Sequence, residues 1–376
     1  MVFKDYDIGI STFFITYHAL FLVLVPLYFM FYPLSWGLII TTLILIFVCG
    51  TSITAGYHRL YAHKTYKSNT FIESILLFFG TLSGQSSVLR WAHDHRLHHM
   101  HVDTDKDPYS IKDGFWHAHI IWVLKKRCTF NLNIVSDLTK SKLLAFQDKY
   151  YSILFTVTNL LIIGIFGYVF NSYAGAFVLL FLARMFIAHH STFFINSLAH
   201  YWGVKPYSKE HSAVNNWIIA LLTFGEGYHN YHHTFASDYR NGIRWYQFDP
   251  TKILIWFLGK IGMATDLKKV DRFTIKRKLL MEDKKQLLES INKIKDDNAK
   301  KLESVIIELS ERINAKLSAF NDALNRYKDL KKNKEKNEII NNIKIQLKNL
   351  RQSIKIDYNS WSNICNQVLN ISPKHQ

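Results

Sequence analysis

The chain has 376 residues, of which 49% are hydrophobic and 15% aromatic, and its formal net charge is +17. Long apolar runs fill residues 1–265, whereas residues 266–376 are polar and supply 25 basic against 15 acidic residues, or +10 of that charge. The three cysteines are widely spaced and form no CxxC pair, so they give no sign of a disulfide framework or a zinc site. Because so much of the chain is apolar, the positive charge indicates a membrane surface rather than nucleic acid.

The first elements in chain order are two long uncharged stretches, residues 10–31 and 35–57, with Pro33 between them. A bilayer core requires about 20 apolar residues of helix. These stretches therefore predict a transmembrane hairpin. Residues 151–170 and 172–199 predict a second hairpin, whose two stretches are separated by a turn at Asn171.

The predicted hairpin turns contain no Lys or Arg, whereas the opposite helix ends contain several. Since basic residues remain on the cytosolic side, both termini are expected in the cytosol. The apolar stretch 71–89 is interrupted by Glu73, Gly80 and Gly84. It predicts a helix that lies at the membrane interface.

Histidines recur next to these stretches in a regular pattern. His95, His98 and His99 have the same i, i+3, i+4 spacing as His229, His232 and His233, which places each triplet on one face of a helix. Two further residues, Asn196 and His200, are spaced i, i+4 at the end of the fourth transmembrane stretch.

A third cluster contains His58 and His63, whose i, i+5 spacing does not share a face in a regular α-helix. Either the helix loosens as it leaves the membrane or the two rings reach different metals, and we expect different metals. Nine imidazoles exceed the needs of one ion and suit two. Imidazole ligands accommodate iron, copper, zinc or nickel, so ligand type alone does not select the metal.

Several of these segments resemble the successive motifs of membrane acyl-CoA desaturases of the stearoyl-CoA (Δ9) type. The resemblance covers roughly residues 10–265, and its motifs read HRLYAHKTY, WAHDHRLHHMHVDTDKDPY, FFINSLAHYWG, GEGYHNYHH and DYRNGIRWYQFDPTK. It implies an all-α membrane protein with four transmembrane helices and a cytosolic cap that holds two Fe²⁺ ions. The implied iron ligands are His58, His63, His95, His98, His99, His200, His229, His232 and His233, while Asn196 would hold a metal-bound water.

The resemblance also implies the reaction: a cis double bond, expected at Δ9, is introduced into a long-chain saturated acyl-CoA with O2 and two electrons. Cytochrome b5 and its reductase are the usual donors, and the endoplasmic reticulum membrane is the usual location. A related histidine-box hydroxylase acting on acyl lipid or sterol is the alternative. A non-catalytic membrane scaffold is a third hypothesis, which the completeness of the histidine motifs disfavours.

Candidate substrate residues follow from the same resemblance. The positions matching those that shape the acyl bend are Gln85, Trp91 and Thr192, and those near the CoA head group are Asp94, Lys125 and Lys126. Ile46 and Gly50 precede His58 by 12 and 8 residues and are candidates for the tunnel floor. Ordinary helix packing at Gly50 is the alternative.

The region 266–376 is expected to be a Lys-rich helical tail. Apolar residues at spacings of three and four, from Leu302 to Tyr327 and from Ile340 to Ile354, predict two amphipathic helices separated by a break at residues 331–336. They would form a helical hairpin or coiled coil that mediates self-association, or a solvated pair with no partner. His375 is the only histidine in the tail, and no His-Pro-Gly-Gly haem motif occurs there. A separate electron donor is therefore expected.

Overall fold

A computed structural model of the chain describes residues 2–293, 297–333 and 337–371. The chain divides into two compact units, Met1–Lys269 and Val270–Gln376. His375 lies outside the described residues.

The first unit is almost entirely helical. Its α-helices are α1 (Ile8–Phe31), α2 (Trp36–Ser52), α3 (Thr70–Leu82), α4 (Val88–His101), α5 (Trp122–Leu124), α6 (Lys142–Lys149), α7 (Tyr151–Val169), α8 (Tyr173–Gly175), α9 (Arg184–Asn196), α10 (Trp217–Leu222), α11 (His229–Thr234) and α12 (Pro250–Lys260). Short 3-10 helices occupy Val2–Asp5, Ile111–Asp113, Leu132–Val135 and Leu198–His200. Two short strands, β1 (Lys67–Ser68) and β2 (Ala264–Thr265), pair antiparallel.

Four helices in the described part of the chain are long and apolar enough to cross a bilayer: Ile8–Phe31, Trp36–Ala62, Tyr151–Val169 and Tyr173–His200. The first two begin at side-chain caps, because Asp7 accepts from the Ile10 backbone N–H and Ser35 from that of Leu38. The prediction of four transmembrane stretches is confirmed. Many of their apolar side chains face outward, as expected for helices in lipid, so the chain is a multi-pass membrane protein.

Three segments of the first unit wind as π-helix: Ile53–Ala62, His117–Ile121 and Ala176–Ala183. The first continues α2 directly and contains one of the histidine clusters. Its backbone bonds span five residues, as in the bond from the His63 N–H to the His58 carbonyl at 3.0 Å. π-Helical turns are rare and occur mainly at functional sites.

The single helix expected over residues 71–89 is wrong. Helix α3 ends at Leu82, and α4 begins at Val88. Between them the chain turns through left-handed conformations at Gly84 (φ 75°) and Ser86 (φ 79°), which a continuous α-helix does not contain. We call residues 83–87 the cavity turn, because Gly84 and Gln85 line a cavity in the first unit.

In the part of the second unit that the structure describes there are three helices: α13 (Arg272–Ile291), α14 (Asp297–Lys332) and α15 (Asn337–Ile371). The expected break at residues 331–336 coincides with the end of α14, although residues 334–336 lie outside the described ranges. The three helices share a core that includes Leu280, Leu287, Ile291, Ile306, Leu309, Ile313, Leu317, Ile354, Trp361, Ile364 and Val368. Helix α13 was not predicted as a core element because its apolar residues stand in adjacent groups, such as 279–281 and 287–288, rather than at regular spacings of three and four.

Candidate metal centre

The structure brings the eight histidines of the three clusters together with His200 in two adjoining groups. Within the described residues, the first group is His58, His63, His95, His99 and His232, and the second group is His98, His200, His229 and His233. In each group the potential ligand atoms all lie within 4.8 Å of one another.

The two equally spaced triplets divide their side chains between the groups. Helix α4 gives His95 and His99 to the first group and His98 to the second. Helix α11 does the reverse, since His232 belongs to the first group and His229 and His233 to the second. Residues i and i+4 point the same way on a helix, and the i+3 residue points slightly to one side. The repeated spacing therefore serves two neighbouring sites.

The distances between ring nitrogens match those of ligands on one ion. In the first group, the Nε2 atoms of His63 and His95 are 2.8 Å apart, and His232 Nε2 is 3.0 Å from those of both His58 and His99. In the second group, His233 Nε2 is 3.3 Å from His98 Nε2 and 3.1 Å from His229 Nε2. Two imidazoles bound about 2.1 Å from a metal at right angles have nitrogens about 3 Å apart.

A buried nitrogen without a protein partner also points to a ligand. His200 Nε2 is buried and has no hydrogen-bond partner, while its Nδ1 lies 2.6 Å from Ser212 Oγ. A polar atom in this condition normally costs free energy unless something binds it. A metal ion in the second group would satisfy it.

The expectation that His58 and His63 reach different metals is contradicted, because both belong to the first group. Their rings are perpendicular, with centroids 4.7 Å apart. The cause is the π-helix Ile53–Ala62, in which residues five apart lie one turn apart and share a face. The loosened helix was the other possibility left open by the spacing.

Two acidic residues that belong to neither histidine group lie beside the Nδ1 atoms of His58 and His98. His58 Nδ1 lies 3.1 Å from Glu226 Oε2, and His98 Nδ1 lies 2.9 Å from Asp107 Oδ1. Both carboxylates are buried, at 1% and 5% exposure. A carboxylate beside Nδ1 favours the proton on that nitrogen, which leaves the Nε2 lone pair free for a metal, and such partners fix the ring orientation.

Glu226 also neutralises a buried cation. Its Oε1 accepts from Arg59 Nη2 at 2.9 Å, and Asp249 Oδ1 lies 3.0 Å from the same nitrogen. Burial raises the pKa of Glu226, but the adjacent His58 and Arg59 outweigh burial and lower that pKa to about 2. Glu226 is therefore ionised at neutral pH.

Six of the imidazoles outside the spanning helices are held neutral. Burial, followed by the charges of neighbouring histidines, lowers the pKa well below its ordinary value for His63, His95, His99, His229, His232 and His233. Neutral imidazole is the form that binds metals, so the protein supplies its ligands without having to deprotonate them.

A cavity lies directly beside the first group. Its lining includes His58, His95 and Glu226, together with four of the predicted substrate residues and the predicted water-holding amide: Gln85, Trp91, Asp94, Thr192 and Asn196. Trp91 stacks on His95 with ring centroids 4.9 Å apart. Gln85 Nε2 donates to Thr192 Oγ1 at 2.8 Å.

The structure does not bring the remaining predicted substrate residues to this cavity. Ile46 and Gly50 are buried but absent from the lining, and a Cβ on Gly50 would lie 2.1 Å from the ring of Phe224. Gly50 therefore serves helix packing. Lys125 and Lys126 also lie outside the lining, although the next residue, Arg127, is part of it.

Sequence reasoning missed several residues that shape the site, namely Asp107, Tyr109, Arg127, Ser212 and Glu226. Glu226 precedes His229 by three residues and Asp107 follows His98 by nine, so acidic residues close to the motifs were the available indication. The Nε of Arg127 is buried and has no partner, while its Nη1 donates to Ser86 Oγ at 3.0 Å.

The comparisons with known proteins agree with this site. A family model described as fatty acid desaturase matches residues 33–265. "Acyl-CoA desaturase 1" of Saccharomyces cerevisiae is 39% identical over 258 residues, which cover 68% of this chain and 51% of that protein. "Probable acyl-CoA desaturase" of Schizosaccharomyces pombe is 38% identical, with coverage of 68% and 54%. "Acyl-CoA Delta-9 desaturase" of Acheta domesticus is 37% identical, with coverage of 64% and 69%.

This chain spans about half the length of the two yeast relatives. The matched region contains every residue of both histidine groups. The chain belongs to the fatty acid desaturase family.

Proposed function

We propose that the chain is an acyl-CoA desaturase, which introduces a cis double bond into a long-chain saturated acyl-CoA with O2 and two electrons. The expected position is Δ9. The observation that carries the proposal is the pair of adjoining histidine groups with a cavity beside the first group, lined in part by apolar residues such as Phe14, Ile53 and Trp91. Membership of the family and the printed names of the yeast and cricket relatives support the same reaction.

The residues present fit two metal ions, and we propose that both are iron. The first group would hold one ion and the second group the other. When bound, iron supplies the oxidising chemistry with O2 that removes hydrogen from an unactivated methylene, which no protein acid or base can do.

The task of the protein is then to place the acyl chain and to exclude water. Trp91 stacks on His95, and a hydrogen bond joins Gln85 and Thr192 in the cavity lining. The Asn196 amide belongs to the same lining and can hold a water near the first group. An apolar chain that threads between these residues would pass the first group at one defined depth.

The anionic CoA head group requires cations at the cavity mouth. Arg127 lies in the lining with an unpartnered Nε, next to Asp94 of the same lining. Lys125 and Lys126 immediately precede Arg127 and would bind phosphate by charge. Asp94 would bind a hydroxyl or amine of the head group rather than a phosphate.

The proposed partners are a separate cytochrome b5 with its reductase, and the proposed location is the endoplasmic reticulum membrane with both termini in the cytosol. The basic residues at the ends of the spanning helices, including Lys64 and Lys67, support that orientation. Self-association through residues 266–376 is a further proposal, which the molar mass of the detergent-solubilised protein tests.

The test is expression of the chain in a yeast strain that requires unsaturated fatty acids, followed by double-bond mapping of the lipids by mass spectrometry. We expect growth without supplement and a cis monounsaturated product, mainly Δ9. A hydroxylated acyl product in place of an alkene would contradict the proposal.

Two variants calibrate this experiment. His232→Ala removes a ligand of the first group and should abolish both growth and product. His101→Gln alters another histidine of α4 that belongs to neither group, and it should retain the activity.

A further inference from the structure

The cavity turn, residues 83–87, is an unusual element of the cavity wall. Gly84 and Gln85 contribute to the same lining as His58 and His95. The turn contains two left-handed residues, and one of them, Ser86, is not glycine. Such backbone persists only where surrounding contacts hold it, and it is concentrated at functional sites.

Neighbouring side chains that do not line the cavity fix the turn. The Ser86 backbone N–H donates to Tyr151 Oη at 2.9 Å, and the Val88 N–H donates to Gln147 Oε1 at 3.0 Å. Arg184 of the fourth spanning helix donates to the Leu82 carbonyl at 2.9 Å, just before the turn. These bonds hold the two ends of the turn.

The centre of the turn is held by a histidine that lines the cavity and belongs to neither metal group. His189 Nε2 lies 3.2 Å from the Gly84 carbonyl oxygen, and its Nδ1 lies 2.7 Å from Tyr17 Oη. A carbonyl oxygen can only accept, so Nε2 carries the proton. In the neutral ring Nδ1 is then an acceptor, and the Tyr17 hydroxyl donates to it.

His189 and Tyr17 are 1% and 3% exposed, and His189 itself lines the cavity. Phe14 stacks on the His189 ring with centroids 5.2 Å apart, which further limits its movement. Thr192, which accepts from Gln85, lies three residues further along the same helix. One helix face thus binds two consecutive residues of the turn.

We infer that His189, held in place by Tyr17, is a positioning residue that sets the depth of the cavity turn and thereby selects which acyl carbons lie beside the first group. This inference rests on the proposed function and adds a determinant of double-bond position. His189 acts through Gly84 and Gln85 rather than on the reacting atoms. Reaction geometry is sensitive to displacements of about 1 Å, so a relaxed turn would allow a second acyl register.

The experiment uses the full chain in the yeast assay and measures the ratio of positional isomers in the monounsaturated product. In His189→Leu the bond to Gly84 is lost, and in Tyr17→Phe the bond that fixes the ring is lost. Loss of one buried hydrogen bond should raise the ratio of minor to major isomers by about fivefold or more. His189→Gln retains an N–H donor and should keep the ratio near the wild-type value.

The matched control is His190→Leu, which removes the adjacent histidine of the same helix. His190 bonds to His18 and His119 and is absent from the cavity lining among the described residues. A purely structural effect would lower the total product of either variant, whereas only loss of positioning changes the isomer ratio. The control should leave that ratio unchanged.

An unchanged isomer ratio in both His189→Leu and Tyr17→Phe, with product still formed, overturns this inference and leaves the proposed function intact. If His189→Leu does not accumulate, Tyr17→Phe decides the matter alone. No unsaturated product from the wild-type chain overturns the proposed function and this inference together.

Discussion

Each imidazole that binds a metal through one ring nitrogen has a second ring nitrogen. The hydrogen-bond partner of that second nitrogen fixes the orientation of the ring and so the position of the metal-binding nitrogen. Glu226 holds His58 and Asp107 holds His98, so each histidine group has at least one ring fixed by a buried carboxylate. Glu226 also offsets the charge of Arg59, which is 1% exposed. The carboxylate therefore stabilises both the fold and the ligand geometry.

We predict that Glu226→Gln weakens metal binding without removing any ligand. Loss of such an orienting partner typically lowers metal affinity by about tenfold to a hundredfold. The measurement is iron retained per chain after dialysis against a graded series of a chelator.

Asp266→Asn serves as the matched control, since the ion pair of Asp266 with Lys67 is largely exposed and should affect iron little. Iron retention by Glu226→Gln equal to that of the control would show that Glu226 does not orient a ligand.

The nine ligand candidates could be chosen from sequence because helical spacing is local and histidine is chemically specific. Their partners could not be chosen in the same way. Asp107 and Glu226 are ordinary acidic residues, and only tertiary packing brings them to Nδ1 atoms. The assignment of each ring to a group likewise depended on how α4 and α11 face each other.

At the scale of elements, helix α2 shows how an expected role changes once packing is known. Gly50 was a candidate for the tunnel floor, but its Cα faces the Phe224 ring closely enough that a Cβ would meet it at 2.1 Å.

We predict that Gly50→Ala destabilises the protein and does not change acyl chain-length preference. Overpacking of this kind typically costs about 1–3 kcal/mol. The measurements are the midpoint of thermal unfolding in detergent and the chain-length distribution of the product.

Gly164→Ala is the control on another spanning helix, because no atom lies within 4 Å of the added carbon. It should unfold at or slightly above the wild-type temperature. A shift of Gly50→Ala toward shorter acyl chains at unchanged stability would instead restore the tunnel-floor role.

The spanning helices were predictable because charge-free apolar runs of this length are typical of helices that cross a bilayer. The π-helix at Ile53–Ala62 and the cavity turn were not, since both depend on contacts from distant elements. Both departures from regular helix lie at the site, and functional sites are where the structure most often differs from what local sequence preference predicts.

At the scale of the whole molecule, both histidine groups lie in the unit Met1–Lys269, and the unit Val270–Gln376 has an apolar core of its own. Ile313 is fully buried in that second core. The two units can therefore be perturbed separately.

We predict that Ile313→Ala lowers the free energy of unfolding of the second unit by about 2–5 kcal/mol and leaves iron binding unchanged. Limited proteolysis should cut within α13–α15 at lower protease concentration than in wild type. Val305→Ala, at a position 44% exposed, is the control and should leave the cleavage pattern unaltered. Loss of iron from Ile313→Ala would mean that the tail supports the metal centre.

The most direct test of the central claim is the metal content of the purified 376-residue chain, produced with ample iron and measured by mass spectrometry. The two histidine groups predict about two iron atoms per chain, with a marked loss of iron in His232→Ala. Protein that is folded but free of iron, or that holds another metal in its place, would contradict the account.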